Sequence, residues 1–191
     1  MKPVIISVTG AHSDSGKTLV AEILLQGLRG RWGAIKYTRT AFYTSVREID
    51  SPTPDEKDTS RLLRAGGSPV IWIQSPPGEL KESLEVAMGL ASGCDGIVIE
   101  GNSPIEFLTP DIVIFVFGED PSRLKPSGRK ALQRADLLIS KDTIPEALLK
   151  KKEGCKMLPL SYSRLTEGVA EERRTLVDAV KRLLVERGVL V

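Results

Sequence analysis

Val8-Thr9-Gly10-Ala11-His12-Ser13-Asp14-Ser15-Gly16-Lys17-Thr18 follows a short apolar run and opens a stretch with helical periodicity. This order of strand, small-residue loop and helix decides the fold. Small residues at Ser13 and Ser15, with Gly10 and Gly16, let backbone amides curl into an anion-binding nest at a helix amino terminus. Lys17 is suited to neutralise the β and γ phosphates of a nucleotide, and Thr18 to offer its hydroxyl to Mg2+. Ser13, Asp14, Ser15, Gly16, Lys17 and Thr18 are therefore the expected nucleotide-binding residues, with Lys17 also serving catalysis. Gly10 stands one residue too early for the GxxxxGK[ST] spacing, so Ala11 takes the first position. His12 reads as a loop residue whose backbone matters more than its ring, a phosphate contact or pH-sensitive element being the alternative.

Outward from this loop, short Val/Ile-rich runs alternate with longer amphipathic stretches, the pattern of a parallel sheet covered on both faces. The runs at 4–8, 34–37, 70–73, 96–100, 112–117, 137–140 and 155–160 read as strands. Helical periodicity occupies 17–28, 59–65, 80–90, 123–134, 144–150 and 169–187. The expected architecture is a three-layer α/β/α fold with a mostly parallel sheet of about seven strands, a phosphate-loop NTPase fold filling residues 1–191 as one domain. Residues 38–57 are polar, contain Pro52 and Pro54 and follow neither period, so they read as a long loop at the ligand-binding edge of the sheet.

Composition narrows the function further. The 191 residues hold 27 Lys and Arg against 25 Asp and Glu, a net charge of +2 with no basic field for nucleic acid or an anionic membrane. One histidine and two distant cysteines, Cys94 and Cys155, make no structural zinc site and suggest a reducing compartment, hence the cytoplasm. The apolar start is too short for a signal peptide and no run approaches a membrane span, so a soluble protein is expected. Asparagine occurs once and glutamine three times, a depletion seen in proteins from hot environments.

A second chemical signal is Gly96-Ile97-Val98-Ile99-Glu100-Gly101-Asn102, an apolar strand ending in a carboxylate. A strand-end carboxylate near a phosphate loop suits a magnesium ligand, direct or through water, so Glu100 is expected to be catalytic and to share the metal with Thr18. Asn102 would orient a water or a substrate group, or else serve a turn. Asp58 would help position Mg2+ or cap the following helix, and Lys36 would contact phosphate or substrate at the sheet edge. Asp50 is a weaker magnesium candidate. Arg61 and Arg64 would face phosphates or lie on an exposed helix face.

Near the other end, Ser140-Lys141-Asp142-Thr143 follows a strand, and Arg164-Leu165-Thr166-Glu167-Gly168 follows the next. The pair resembles the base-binding loops of phosphate-loop GTPases, where an Asn-Lys-x-Asp element reads guanine. Ser140 replaces the Asn, and Thr143 stands where the Asp belongs unless Asp142 serves, so the likeness implies base contacts from Ser140, Lys141 and Asp142. It leaves GTP against ATP open.

Taken in order, the Ser-Gly-Lys-Thr loop, Gly33-Ala34-Ile35-Lys36, Lys57-Asp58-Thr59-Ser60-Arg61 with Ala65-Gly66-Gly67, and Glu100-Gly101 resemble the SIMIBI class of phosphate-loop proteins. Within that class they resemble the molybdopterin-guanine dinucleotide biosynthesis protein B family over about the first 100 residues. Tyr37-Thr38-Arg39 departs from the histidine that family carries after Ile-Lys. The likeness implies a GTP-binding protein with Mg2+, slow hydrolysis, a partner enzyme of cofactor biosynthesis and a homodimer across the phosphate site. No general base stands out, which agrees with slow turnover.

A second resemblance, to dethiobiotin synthetase, rests on Thr-Gly, five residues, then Gly-Lys-Thr, with Lys36 and Glu100-Gly101 behind it. It implies an ATP-dependent ligase that activates a carboxylated small molecule. Asn102-Ser103-Pro104 stands where that family has a glycine-rich run. A third, to GTPases that load nickel enzymes, is opposed by the shortage of His and Cys.

Overall fold

The computed structural model describes residues 2–53, 57–118, 123–140, 156–158, 160 and 162–189. Eight strands among them form one sheet: β1 (Val4–Gly10), β2 (Trp32–Arg39), β3 (Ser45–Ile49), β4 (Val70–Ser75), β5 (Gly96–Glu100), β6 (Ile112–Val116), β7 (Leu137–Ile139) and β8 (Lys156–Leu158), in the order β3-β4-β2-β5-β1-β6-β7-β8. Every pairing is parallel except that of β3 with β4. The helices are α1 (Lys17–Gly27), α2 (Lys57–Arg64), α3 (Leu80–Leu90), α4 (Pro126–Arg134), α5 (Tyr162–Thr166) and α6 (Ala170–Glu186).

The period-two geometry of a strand sorts the core into two layers. Val4, Ile6 and Val8 of β1, with Ala34 and Val98, pack beneath α1, α2 and α6 through Val20, Leu24, Leu62, Val180 and Leu184. Their neighbours Ile5, Ile35, Ile97 and Ile99 turn to the opposite face and meet Leu80, Leu84 and Ala87 of α3. Farther along that face, Val113, Phe115 and Leu138 meet Ala131 of α4. Central strands buried on both faces explain the unbroken apolar runs, and the three-layer α/β/α architecture is the expected one.

The seven expected strands are present, and the eighth is the finding. β3 lies inside the segment read as a loop. Val46 and Ile49, its two apolar residues, are three apart, so they carry no alternation, and the strand is held from one side only by β4. Arg47 stacks 5.3 Å from the Trp72 ring, which supplies the contact that the apolar pattern did not announce. Residues 40–44 carry the chain from β2 across the end of β4, with Thr40 N–H donating to the Ser75 carbonyl at 3.1 Å and Gln74 donating to the Tyr43 hydroxyl at 2.8 Å. Phe42, at the top of this crossing, is 96% exposed. The helix read at 144–150 and Cys155 lie outside the described residues.

Candidate functional site

The sheet brings the site together by register. β5 lies between β1 and β2, with Glu100 opposite Val8 on one side and Lys36 on the other. Glu100 follows Val98 and Lys36 follows Ala34 on the same face, so each charged side chain emerges one step past the core, beneath α1 and α2. Thr18 belongs to the first turn of α1, and Asp58 to the first turn of α2. Four residues far apart in sequence therefore meet at the carboxyl edge of a parallel sheet, where open α/β sheets bind ligands.

The phosphate loop keeps its shape through backbone geometry. Asp14 and Gly16 both take the left-handed conformation, at φ 61° and 94°, and Gly16 does so at the position immediately before α1, where a side chain would be strained. Such turns aim successive amides into one concavity. Asn102 fixes the start of the loop: its Oδ1 accepts from the Gly10 amide at 2.8 Å, and its Nδ2 donates to the Gly10 carbonyl at 2.9 Å. The expected water- or substrate-orienting amide is thus engaged with the loop itself, and Asn102 is absent from the cavity wall. The first turn of α4 seals the other side, with a Cβ at Gly128 falling 2.8 Å from the Ala11 carbonyl oxygen, a close approach that only glycine permits. Sequence reading did not find this contact; the Pro-Ser-Gly at the start of α4 was the available signal.

Lys17 donates to the His12 carbonyl at 2.7 Å. Burial holds its ammonium below the ordinary lysine pKa, against the pull of Glu100 and with the help of Lys36. The His12 ring is buried, its Nδ1 against the Ser13 carbonyl and its Nε2 without a hydrogen-bond partner among the described residues. The ring does not line the cavity, and the carbonyl is what serves Lys17.

Thr18 donates its hydroxyl to Glu100 Oε2 at 3.0 Å. Lys36 Nζ donates to Asp58 Oδ2 at 2.8 Å and also to Glu100 Oε1. Burial pulls the Lys36 ammonium down, yet Glu100 and Asp58 outweigh it and leave its pKa raised. Burial likewise opposes ionisation of Asp58, while the bond from Lys36 and its charge, with the charge of Arg61, overcome it and depress that carboxyl. One turn on, Arg61 makes a two-pronged bond to Glu22, Nε to Oε1 at 2.9 Å and Nη2 to Oε2 at 2.5 Å. That bond raises the guanidinium pKa further. Glu22, missed in the sequence, sits one turn after Thr18 on α1 and holds Arg61 against that helix at the border of the cavity.

These groups border a cavity of about 770 Å3 that runs from Ser13 and Asp14 past Lys17 and Thr18 to Arg39 at the end of β2, with Arg61 and Thr166 across from them. Ser140 follows β7 at the same sheet edge, buried, its hydroxyl without a partner among the described residues, and it does not line the cavity. Lys141, Asp142 and Thr143 lie outside the described residues. Asp50 and Arg64 do not line the cavity. Among the described residues no cluster of three or more His, Cys, Asp or Glu could hold a metal, and no helix is long and apolar enough to cross a membrane. Cys94 is a free, buried thiol.

No family model matches the chain. Over 93 residues, 49% of the chain, it is 33% identical to an ATP-dependent dethiobiotin synthetase of Caulobacter vibrioides NA1000, and equally to that of strain CB 15. The matched segment spans only 40% of those relatives' length. Among solved structures, LpxK from Aquifex aeolicus in complex with ATP aligns with a TM-score of 0.49 at 17% identity, covering 100% of this chain and 70% of that one. The chain thus has a three-layer α/β/α fold in which a Gly-Lys-Thr loop joins the first strand of a mostly parallel sheet to the first helix, and over half its length it is similar to ATP-dependent dethiobiotin synthetase.

Proposed function

We propose that the chain binds ATP along residues 13–18 and uses it to activate a small anionic molecule, as a ligase resembling dethiobiotin synthetase. The observation that carries this reading is a second ammonium in the phosphate cavity. Lys17 already supplies the charge that a nucleotide's phosphates require, and Lys36 adds another from the carboxyl half of β2, beside Thr18 and Glu100. A cavity of about 770 Å3 has room for a second reactant next to the terminal phosphate, and Arg39 extends its positive wall.

The donor set suits magnesium. Thr18, Glu100 and Asp58 offer only hard oxygen atoms, and Mg2+ takes one or two carboxylates with several waters retained. When bound, the ion would neutralise charge on the β and γ phosphates. The chain's own residues do the rest: the loop amides position the phosphates, Lys17 exchanges its bond to the His12 carbonyl for one to phosphate oxygen, and Arg61, steadied by Glu22, adds charge from α2.

A second reading, a GTP-binding adaptor resembling molybdopterin-guanine dinucleotide biosynthesis protein B, draws support from Lys36, Asp58 and Arg61. These come from the two segments that carry that likeness, and they border one cavity. It entails slow hydrolysis, a partner enzyme, a homodimer and base contacts from Ser140, Lys141 and Asp142. Calorimetric titration with ATP and with GTP, each with Mg2+, separates the two. Preference for ATP favours the ligase, preference for GTP favours the adaptor, and heat from neither refutes both.

A further inference from the structure

Lys36 sits where the two acidic ligands of the proposed metal site converge. Its Nζ is bonded to Glu100 Oε1 and lies 2.8 Å from Asp58 Oδ2, while Thr18 occupies the other Glu100 oxygen. The Glu100 side chain is 2% exposed, Lys36 14% and Asp58 47%. A carboxylate as buried as Glu100 needs a cationic partner, and Lys36 is the cation in contact with it. Asp58 is the open side of the cluster, through which a hydrated ion would arrive.

We propose that Lys36 is a resident counter-cation that gives up its place between Glu100 and Asp58 to a divalent metal, and that metal loading thereby frees its ammonium for the anionic partner in the cavity. This rests on the nucleotide-site reading above. An ammonium and a doubly charged ion sharing the same carboxylate oxygens at a few ångströms repel strongly in a partly buried setting, so the two occupy the position in turn. The register of β2 against β5 keeps the Lys36 backbone beside Glu100, and its four-carbon stem lets the released ammonium swing without any movement of the sheet. The space it enters is bordered by Lys17, Arg39 and Arg61, a positive wall that an anion must share. If Lys36 were instead a fixed strut that merely orients Glu100 and Asp58, its removal would loosen the ligands and weaken metal binding. The two roles therefore give opposite signs.

Mn2+ titrated into the nucleotide-free full chain, followed by the electron paramagnetic resonance signal of the free ion, reads that sign directly. Lys36→Gln and Lys36→Met are expected to bind Mn2+ about 10-fold or more tightly than the wild type, because the competing charge is gone. Adding Glu100→Gln to either should abolish the gain. Equal or weaker Mn2+ binding by folded Lys36→Gln overturns the proposal, as does Mn2+ binding by none of the proteins. Lys36→Met leaves Glu100 without any donor from this position and risks misfolding, whereas Lys36→Gln retains an amide donor and keeps the test available. Calorimetric titration of the wild type with ATP and Mg2+ is run in parallel. Failure there counts against the nucleotide reading, whereas failure of the Mn2+ comparison counts against the exchange.

Discussion

The two ends of the parallel sheet each hold a cavity, of about 770 Å3 at the carboxyl end and about 790 Å3 at the amino end, so volume does not tell them apart. Their acids do. At the amino end Asp111 accepts from the Ile5 amide at 2.8 Å, Asp136 from the Val113 amide at 2.8 Å and Asp95 from the Arg31 amide at 2.7 Å. Each carboxylate there closes the start of a strand by satisfying a backbone donor that must stay satisfied. At the carboxyl end Glu100 and Asp58 hold a hydroxyl and an ammonium, side-chain groups that are able to change partners. The same residue type is a fastener at one edge and an exchangeable ligand at the other.

The sharpest way to break this contrast is Lys17→Ala. Lys17 is held below its ordinary pKa by burial, so its charge does not help the fold, and its loss should leave the unfolding midpoint nearly unchanged. Nucleotide affinity should instead fall by about 100-fold or more, the loss of charge-assisted bonds to phosphate. Calorimetry and thermal unfolding of the same sample check both halves. A variant that melts early and still binds ATP would place Lys17 among the fasteners.

How far this division could be read from residues alone varies from one element to the next. The phosphate loop, Thr18, Lys36, Asp58 and Glu100 were legible as candidates because each stands in the carboxyl part of a strand, follows one or opens a helix, with a type of chemistry that has few other uses there. That Thr18, Glu100 and Asp58 belong together was expected, but the bonds of Lys36 to Glu100 and Asp58 were not legible, since they depend on β5 inserting between β1 and β2, a fact of sheet order. Asn102 was singled out by its position after Glu100-Gly101, but its bonds to Gly10 span 92 residues and no local pattern encodes them. Glu22 was passed over as one more charge on an amphipathic helix until α2 brought Arg61 against it. β3 escaped because Ile49 is the one buried residue of this edge strand, so no buried face imprints an alternation on it.

The converse substitution at the amino end is Asp136→Ala. Its Oδ2 accepts from the Val113 amide and its Oδ1 pairs with Arg187 at 2.7 Å, so the change strands a buried donor and an arginine together. A loss of about 2 kcal/mol is expected, seen as a drop of about 4–8 °C in melting temperature for a chain of this size. Nucleotide affinity should stay within about twofold of the wild type, because the phosphate loop lies beyond its contacts. A large loss of affinity in a protein that melts normally would mean that the two edges are coupled and that the contrast between them fails.

The smallest effect expected is a pH dependence, and it distinguishes groups within the carboxyl edge. Asp58 is held below the ordinary carboxylate pKa, so the folded chain binds fewer protons there than the unfolded chain does through the acid limb. Its contribution to stability is therefore present above about pH 4 and is lost as pH falls through the depressed folded value. Lys36, raised, contributes stability that is complete below the ordinary lysine pKa and is lost as pH climbs through the higher folded value. Lys17, lowered, acts in the opposite sense, because the folded chain sheds its proton first and gains stability as pH rises toward the ordinary value. The alkaline limb thus holds two opposed trends, and the acid limb carries that of Asp58. Urea midpoints of wild type and Asp58→Asn, measured in chelator from neutral pH downward, should differ most at neutrality and converge below about pH 4. Because Asp58 is half exposed, solvent and salt screen its bond to Lys36, and the difference should shrink further in high salt. A gap that persists unchanged into acid would mean that Asp58 works by shape or capping at the start of α2, independent of its charge.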